Sequence, residues 1–144
     1  MQGNGDGEFN LFVTGGTQLG DWWHFISAAG VRLPADATEE NEVAYWANHL
    51  DRRLWRDGLY FLGEANWFHW MRSAGVDVGA DVTGLDLINV PAGNVAGTNV
   101  VTGVAGLKWK PGSHVEVGSG YEFPLTARED ILHGRVYADV IFRY

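Results

Sequence analysis

The sequence predicts an all-β chain that folds as an antiparallel up-and-down meander of about seven long strands. Three observations lead to this fold class. Apolar residues recur at every second position, which is the period of a strand rather than of a helix. Glycine occupies 20 of the 144 positions, proline only 4, and aromatic residues make up 13%, a composition that disfavours disorder. No stretch approaches the roughly 20 consecutive apolar residues that a membrane-spanning helix requires.

The alternating segments are separated by residues that form turns and loops. Residues 1–8 are predicted to be a flexible, glycine-rich lead-in, and residues 9–144 form one domain of ordinary size. The predicted strands, in order, cover residues 9–14, 21–33, 43–54, 59–72, 98–110, 114–123 and 134–144. The connectors between them cover residues 15–20, 34–42, 55–58, 73–97, 111–113 and 124–133.

The first four predicted strands are each bounded by residues that end or turn a strand. Gly15 and Gly16 predict a turn after the first strand. Pro34 lacks the N–H that a ladder needs and therefore ends the second strand. An acidic, polar loop precedes the third strand, and the Asp57-Gly58 pair predicts a tight hairpin turn into the fourth.

The last three predicted strands follow a much longer connector. Residues 73–97 carry repeated Gly, Asp, Asn and Pro, far more than the roughly 2–5 residues of a common hairpin loop, so they have room for a short hairpin of their own. Pro111-Gly112-Ser113 forms the next turn, and a polar loop leads to the final strand. The alternation is strictest there, with Val136, Val140 and Phe142 on one side.

The lengths of the connectors and of the strands predict where this sheet lies, in addition to its fold class. Connectors alternate between short and long, and successive connectors of an up-and-down sheet lie at opposite ends, so all short turns meet at one end. Strands of about 10–12 residues, tilted by about 40°, rise roughly 25–30 Å, which matches the apolar band of a membrane barrel. Together these patterns predict a transmembrane β-barrel or an open C-terminal segment of one.

One face of the predicted sheet carries few charged residues. The other face collects the residues that we predict to line a lumen or pore, namely His49, Asp51, Glu64, Asn66, Lys108, Glu116, Glu122, Arg135, Asp139 and Arg143. His49, Asp51 and Glu64 could relay protons, but we prefer a charge-balanced network that keeps partly buried ions paired. Aromatic residues near strand ends are predicted to lie at the membrane interface, namely Trp55, Trp109, Phe142 and Tyr144.

The final segment, GRVYADVIFRY, resembles the last strand of bacterial outer-membrane β-barrels, which carries a C-terminal aromatic residue and apolar residues at every second position. Most of residues 43–144 is similar to the C-terminal part of uncharacterised porin-like or transporter-like barrels. The resemblance implies a bacterial outer-membrane location, contact with outer-membrane lipid, and recognition of residues 134–144 by the barrel-assembly machinery. Bacterial barrels have an even number of at least eight strands, so we expect upstream strands or self-association to complete this one.

The sequence gives little support for catalysis or cofactor binding. The net charge of −8 and the lack of a basic cluster disfavour a nucleic-acid partner. The 5 histidines show no metal-ligand spacing, cysteine is absent, and no G-x-S-x-G elbow occurs. We therefore expect no enzyme, no metal and no cofactor, but a porin-like passage for small polar solutes.

Two alternatives remain open at this point. One is a small outer-membrane enzyme that modifies lipid. The other is a soluble, lipocalin-like ligand-binding barrel, which needs an apolar interior. Exposure of Trp67 and Phe142 discriminates the soluble barrel from the membrane barrel, because a soluble barrel would bury both side chains.

Overall fold

The computed structural model is all-β and contains one antiparallel sheet of 7 strands. It describes residues 7–38, 40–55, 58–75, 94–127 and 133–144. The strands are β1 (Glu8–Leu19), β2 (Trp23–Pro34), β3 (Glu42–Arg53), β4 (Leu59–Arg72), β5 (Asn99–Trp109), β6 (Val115–Pro124) and β7 (Arg135–Phe142). They pair in sequence order, which confirms the predicted meander. In the part of the chain that is described, no helix has the length and apolarity needed to span a membrane.

The first strand is longer than the sequence predicts. The predicted turn over 15–20 is wrong, because Gly15 and Gly16 are extended and pair with Ser27 and Ile26 of β2. The turn lies over 20–22, where Gly20 has a φ of 69°, a conformation that glycine adopts without steric cost. The bounds of β4 match the prediction, and the remaining strand ends differ from it by one or two residues.

Several predicted connectors fall partly outside the described residues. Most of the connector over 73–97 lies there, together with parts of the turn over 55–58 and of the loop over 124–133. Residues 1–6 of the lead-in over 1–8 also lie there, whereas Gly7 is described and Glu8 already belongs to β1. The described connector ends keep the predicted arrangement, in which the turns after β1, β3 and β5 share one end of the sheet, here named the short-connector end.

The sheet is curled into an open half-barrel. On its concave face, side chains from next-nearest strands meet: Tyr45 Oη of β3 donates to Asn10 Oδ1 of β1 over 2.9 Å, and Lys108 Nζ of β5 donates to Asp51 Oδ2 of β3 over 3.0 Å. Neighbouring strands are about 4.8 Å apart, so each contact spans the intervening strand, in agreement with a sheet that bends toward this face. Among the described residues no ladder joins β1 to β7, and both outer strands pair on one side only.

An apolar cluster fills the concave face at the opposite end, the long-connector end. Val43, Trp70, Val95 and Val100 are buried there, and Phe68 packs against them. The chain over 94–98 lies against β4, because Gly97 N–H donates to the Trp70 carbonyl over 2.8 Å. The charged concave residues of β3, His49 and Asp51, therefore lie between this cluster and the short-connector end.

Gly30 allows the close packing of β1, β2 and β3 on the concave face. A Cβ at Gly30 would lie 2.6 Å from the carbonyl oxygen of Leu11 and 2.7 Å from Tyr45 Oη. Both distances are shorter than a van der Waals contact. The absent side chain thus leaves the space into which the Tyr45 ring reaches.

We expect the substitution Gly30→Val to lower the free energy of unfolding by about 1–3 kcal/mol, because the added methyl groups force Tyr45 or the strand backbone to shift. Gly15→Val is the matched control, since a Cβ at Gly15 meets nothing within 4 Å, and should change it by less than about 0.5 kcal/mol. Denaturant titration followed by tryptophan fluorescence measures both. Equal losses in the two variants would contradict the steric explanation.

Candidate functional site

The concave face carries all the residues that the sequence predicts to line a lumen. Strand alternation and the observed register place them on this face, and Arg143 follows directly after β7. The convex face, in contrast, exposes large apolar side chains, among them Phe9, Leu11, Val13, Trp46, Leu107, Val117, Val136 and Val140. The two faces of the sheet thus differ sharply in polarity.

Asp51 is the centre of the concave network. Its side chain is buried, with a residue exposure of 6%, and it meets three partners. His24 Nδ1 lies 2.7 Å from Oδ1, while Lys108 Nζ lies 3.0 Å and His49 Nε2 3.5 Å from Oδ2. Because a carboxylate offers about four acceptor positions, these contacts satisfy most of its hydrogen-bonding capacity.

His49 connects Asp51 to a second carboxylate. Its Nδ1 lies 2.8 Å from Glu64 Oε1, a contact that follows from the register, since His49 and Glu64 are cross-strand partners on β3 and β4. The structure therefore brings together His49, Asp51 and Glu64, as the sequence interpretation supposed. The two ring nitrogens of one imidazole each face a carboxylate.

Glu116 joins the same network from β6. It is buried, and its carboxylate lies 2.7 Å from Arg143 Nη2, 3.2 Å from Lys110 Nζ and 3.7 Å from Lys108 Nζ. Lys108 thus contacts both Asp51 and Glu116. The connected set, which we call the charged belt, consists of His24, His49, Asp51, Glu64, Lys108, Lys110, Glu116 and Arg143. It crosses the concave face from β2 to the end of β7.

A second cluster surrounds Glu122 toward the other end of β6. Glu122 is 3% exposed, and its Oε1 accepts a hydrogen bond of 2.7 Å from the Thr102 hydroxyl. Its Oε2 accepts two bonds from Arg135, from Nε at 3.0 Å and from Nη2 at 2.6 Å, and one from the Tyr137 hydroxyl. The Arg135 guanidinium also lies 4.4 Å from the centre of the Tyr137 ring. The hydrogen bonds and the ion pair of this Glu122 cluster connect β7 to β5 and β6.

Two predicted lumen residues lie outside both groups. Asn66 pairs with Thr102 in register on the concave face, and Asp139 lies directly against Gly118 of β6. Sequence reasoning did not single out His24, Tyr60, Thr102 or Tyr137 as functional. The information that was lacking was the register between strands. His24 lies on the predicted polar face, but it can be recognised as a partner of Asp51 only when the alignment of β2 with β3 is known.

The predicted interface aromatics lie at the short-connector end. Trp55, Trp109, Phe142 and Tyr144 are all exposed, Phe142 to 72%. Trp67 is only partly exposed, because its ring stacks on His69 with centroids 5.7 Å apart and its Nε1 donates to Asn99 Oδ1. These Trp67 contacts lie on the convex face of β4 and β5, so its partial burial does not arise from an apolar interior.

A depression of about 520 Å³ opens beside the charged belt at the short-connector end. It is lined by Arg53, Gly58, Tyr60, Trp109, Lys110, Pro111 and Gly112. Lys108 and Lys110 lie 5.4 and 5.3 Å from the centre of the Tyr60 ring, which connects this depression to the belt. Its charged lining residues, Arg53 and Lys110, are both cationic, so the depression presents positive charge beside the belt.

Within the described ranges, no group of three or more acidic or histidine side chains is arranged to hold a metal ion. Comparison with known proteins finds no matching family model, no similar curated protein and no similar solved structure.

Proposed function

We propose that this chain is a segment of a bacterial outer-membrane β-barrel that passes small polar solutes through a charged lumen. One observation carries the proposal: the curled sheet has its ion-pair networks on the concave face and most of its large exposed apolar residues on the convex face. A ligand-binding barrel that is soluble in water needs the opposite arrangement, with an apolar interior. An outward apolar band around a polar interior is the arrangement of a membrane barrel.

Strand length supports the same proposal. β1, β2 and β3 contain 12 residues each and β4 contains 14, about twice the usual strand length in soluble proteins. When tilted as in a barrel, such strands cover the roughly 25 Å of an outer-membrane apolar band. The convex aromatic residues at the short-connector end would then occupy the membrane–water interface.

The charged belt suits passage rather than tight binding. Each of its carboxylates already contacts a cation or a histidine within the sheet, so the belt presents paired charges and remains polar without a bound counterion. A small polar solute can exchange its water hydrogen bonds for those of alternating acids and bases as it moves. Charged side chains that line a pore also set its preference among ions.

Reconstitution into liposomes tests the proposal. We expect the chain to require detergent or lipid for solubility and lipids brominated in their acyl chains to quench its tryptophans. The liposomes should become permeable to small sugars when self-association of the chain closes the barrel. Trp46→Phe should reduce the quenching, because Trp46 is exposed on the convex face. A chain that stays monomeric in buffer, with tryptophans that lipid does not quench, would contradict the proposal.

We expect Glu64→Gln to lower the cation-to-anion permeability ratio of the reconstituted protein roughly twofold, because the lumen loses one carboxylate. Glu42→Gln is the control, since Glu42 pairs with Arg72 at the long-connector end of β3 and should leave the ratio unchanged. Ion-gradient potentials across a planar bilayer measure the ratio. A catalysed reaction that Glu64→Gln abolished would instead contradict the assignment of a non-enzymatic role.

A further inference from the structure

The geometry points to a binding site for the phosphate of an anionic phospholipid headgroup, formed by Arg52 and Trp23 on the convex face near the short-connector end. The inference rests on the proposed function and deepens it, because it names the lipid that this part of the surface binds. Its occupant is a lipid of the surrounding bilayer.

Arg52 and Trp23 form a preorganised pair. They are cross-strand partners on β3 and β2, and the guanidinium carbon of Arg52 lies 5.1 Å from the centre of the Trp23 ring. A guanidinium that stacks on an aromatic ring keeps its N–H donors free at its rim. Because Arg52 is exposed, those donors can reach a ligand at the surface.

Arg52 differs from the other strand-end cations in its electrostatic environment. Within the described ranges it makes no ion pair, whereas a carboxylate contacts each of Arg72, Lys108, Lys110, Arg135 and Arg143. It also lies on a convex face that is otherwise apolar at this end of the sheet. A cation held on such a face attracts an anion from outside the chain, although the net charge of the chain is −8.

The neighbourhood of Arg52 identifies the source of that anion. Trp22, Trp55 and Trp109 are exposed at the same end of the sheet, and amphipathic rings of this kind collect at the level of lipid headgroups. The phosphate of a phospholipid lies at that level. A guanidinium can bind two phosphate oxygens at once, so the pair combines a suitable charge with a suitable depth.

Lipid retention by the folded chain tests this site. The protein is folded into nanodiscs that contain equal amounts of phosphatidylglycerol and phosphatidylcholine, and retained lipids are counted by native mass spectrometry. We expect Arg52→Gln to reduce the preference for phosphatidylglycerol about fivefold, the effect of one basic residue near an anionic surface. Arg72→Gln is the matched control and should keep the preference, because Arg72 is paired with Glu42 at the other end of the strands.

Two more variants keep the test decisive if Arg52→Gln fails to fold. Arg52→Lys keeps the charge but loses the two-point contact, and Trp23→Leu removes the stacking surface, so each should reduce the preference about twofold. An unchanged preference in folded Arg52 variants would overturn the lipid site while leaving the barrel proposal intact. Displacement of the lipid by millimolar inorganic phosphate would favour free phosphate and also overturn it. Failure of the wild-type chain to enter the nanodisc would overturn the proposed function instead.

Discussion

Replacing Glu122 with glutamine will lower the free energy of unfolding by about 3 kcal/mol, because it removes the buried carboxylate that pairs with Arg135. The Glu122 carboxylate accepts bonds from Thr102, Arg135 and Tyr137, and its side chain is 4% exposed. Breaking a buried ion pair costs about 3–5 kcal/mol. We expect the lower value, since the Arg135 side chain is 36% exposed and water screens its charge.

Denaturant unfolding of a double-mutant cycle measures this effect. Arg135→Gln combined with Glu122→Gln should cost less than the sum of the two single substitutions, with a coupling of about 1–3 kcal/mol. Glu42→Gln is the control on an exposed pair, whose atoms are 3.5 Å apart, and should cost less than about 1 kcal/mol. Additive effects at Glu122 and Arg135 would show that the cluster does not stabilise the attachment of β7.

Placing an arginine at Ala65 will destabilise the chain in a lipid bilayer by about 2–4 kcal/mol, the cost of a basic side chain at the bilayer midplane of a barrel. Ala65 is exposed on the convex face near the middle of β4. The next residue, Asn66, points to the concave face and pairs in register with Thr102. Asn66→Arg should therefore cost less than about 1 kcal/mol, because its charge enters a polar lumen.

Unfolding from liposomes measures the loss of free energy of unfolding in each of these two adjacent variants. Which variant loses more shows whether the convex face of the sheet meets lipid. If the convex face of this curled sheet met water instead of lipid, the arginine at Ala65 would be tolerated, and the arginine at Asn66 would cost more because Asn66 lies on the enclosed concave face. That reversed order would contradict the membrane orientation of the sheet, independently of any transport assay.

Local sequence patterns determined the strands and their faces. The alternation of Val136, Val140 and Phe142 needs no knowledge of the rest of the chain, because the backbone of a strand turns successive side chains to opposite sides. The pairing of His49 with Glu64 was accessible for a similar reason: the two residues flank one tight turn, so a short hairpin fixes their register. The all-β meander, the bounds of β4 and the polar face follow from such local rules.

Only the tertiary structure decided the features that depend on distant partners. Gly15 and Gly16 are compatible with a turn or with an extended strand, and hydrogen bonding to β2 selects the strand. Lys108 and Asp51 are 57 residues apart, and they meet across β4 because the sheet curls. The curvature of the sheet and the register of its strands depend on all the strand pairs together. They therefore cannot be predicted from the residue pattern of any single strand. The sequence therefore determined which residues face the concave side, and the fold determined which of them touch.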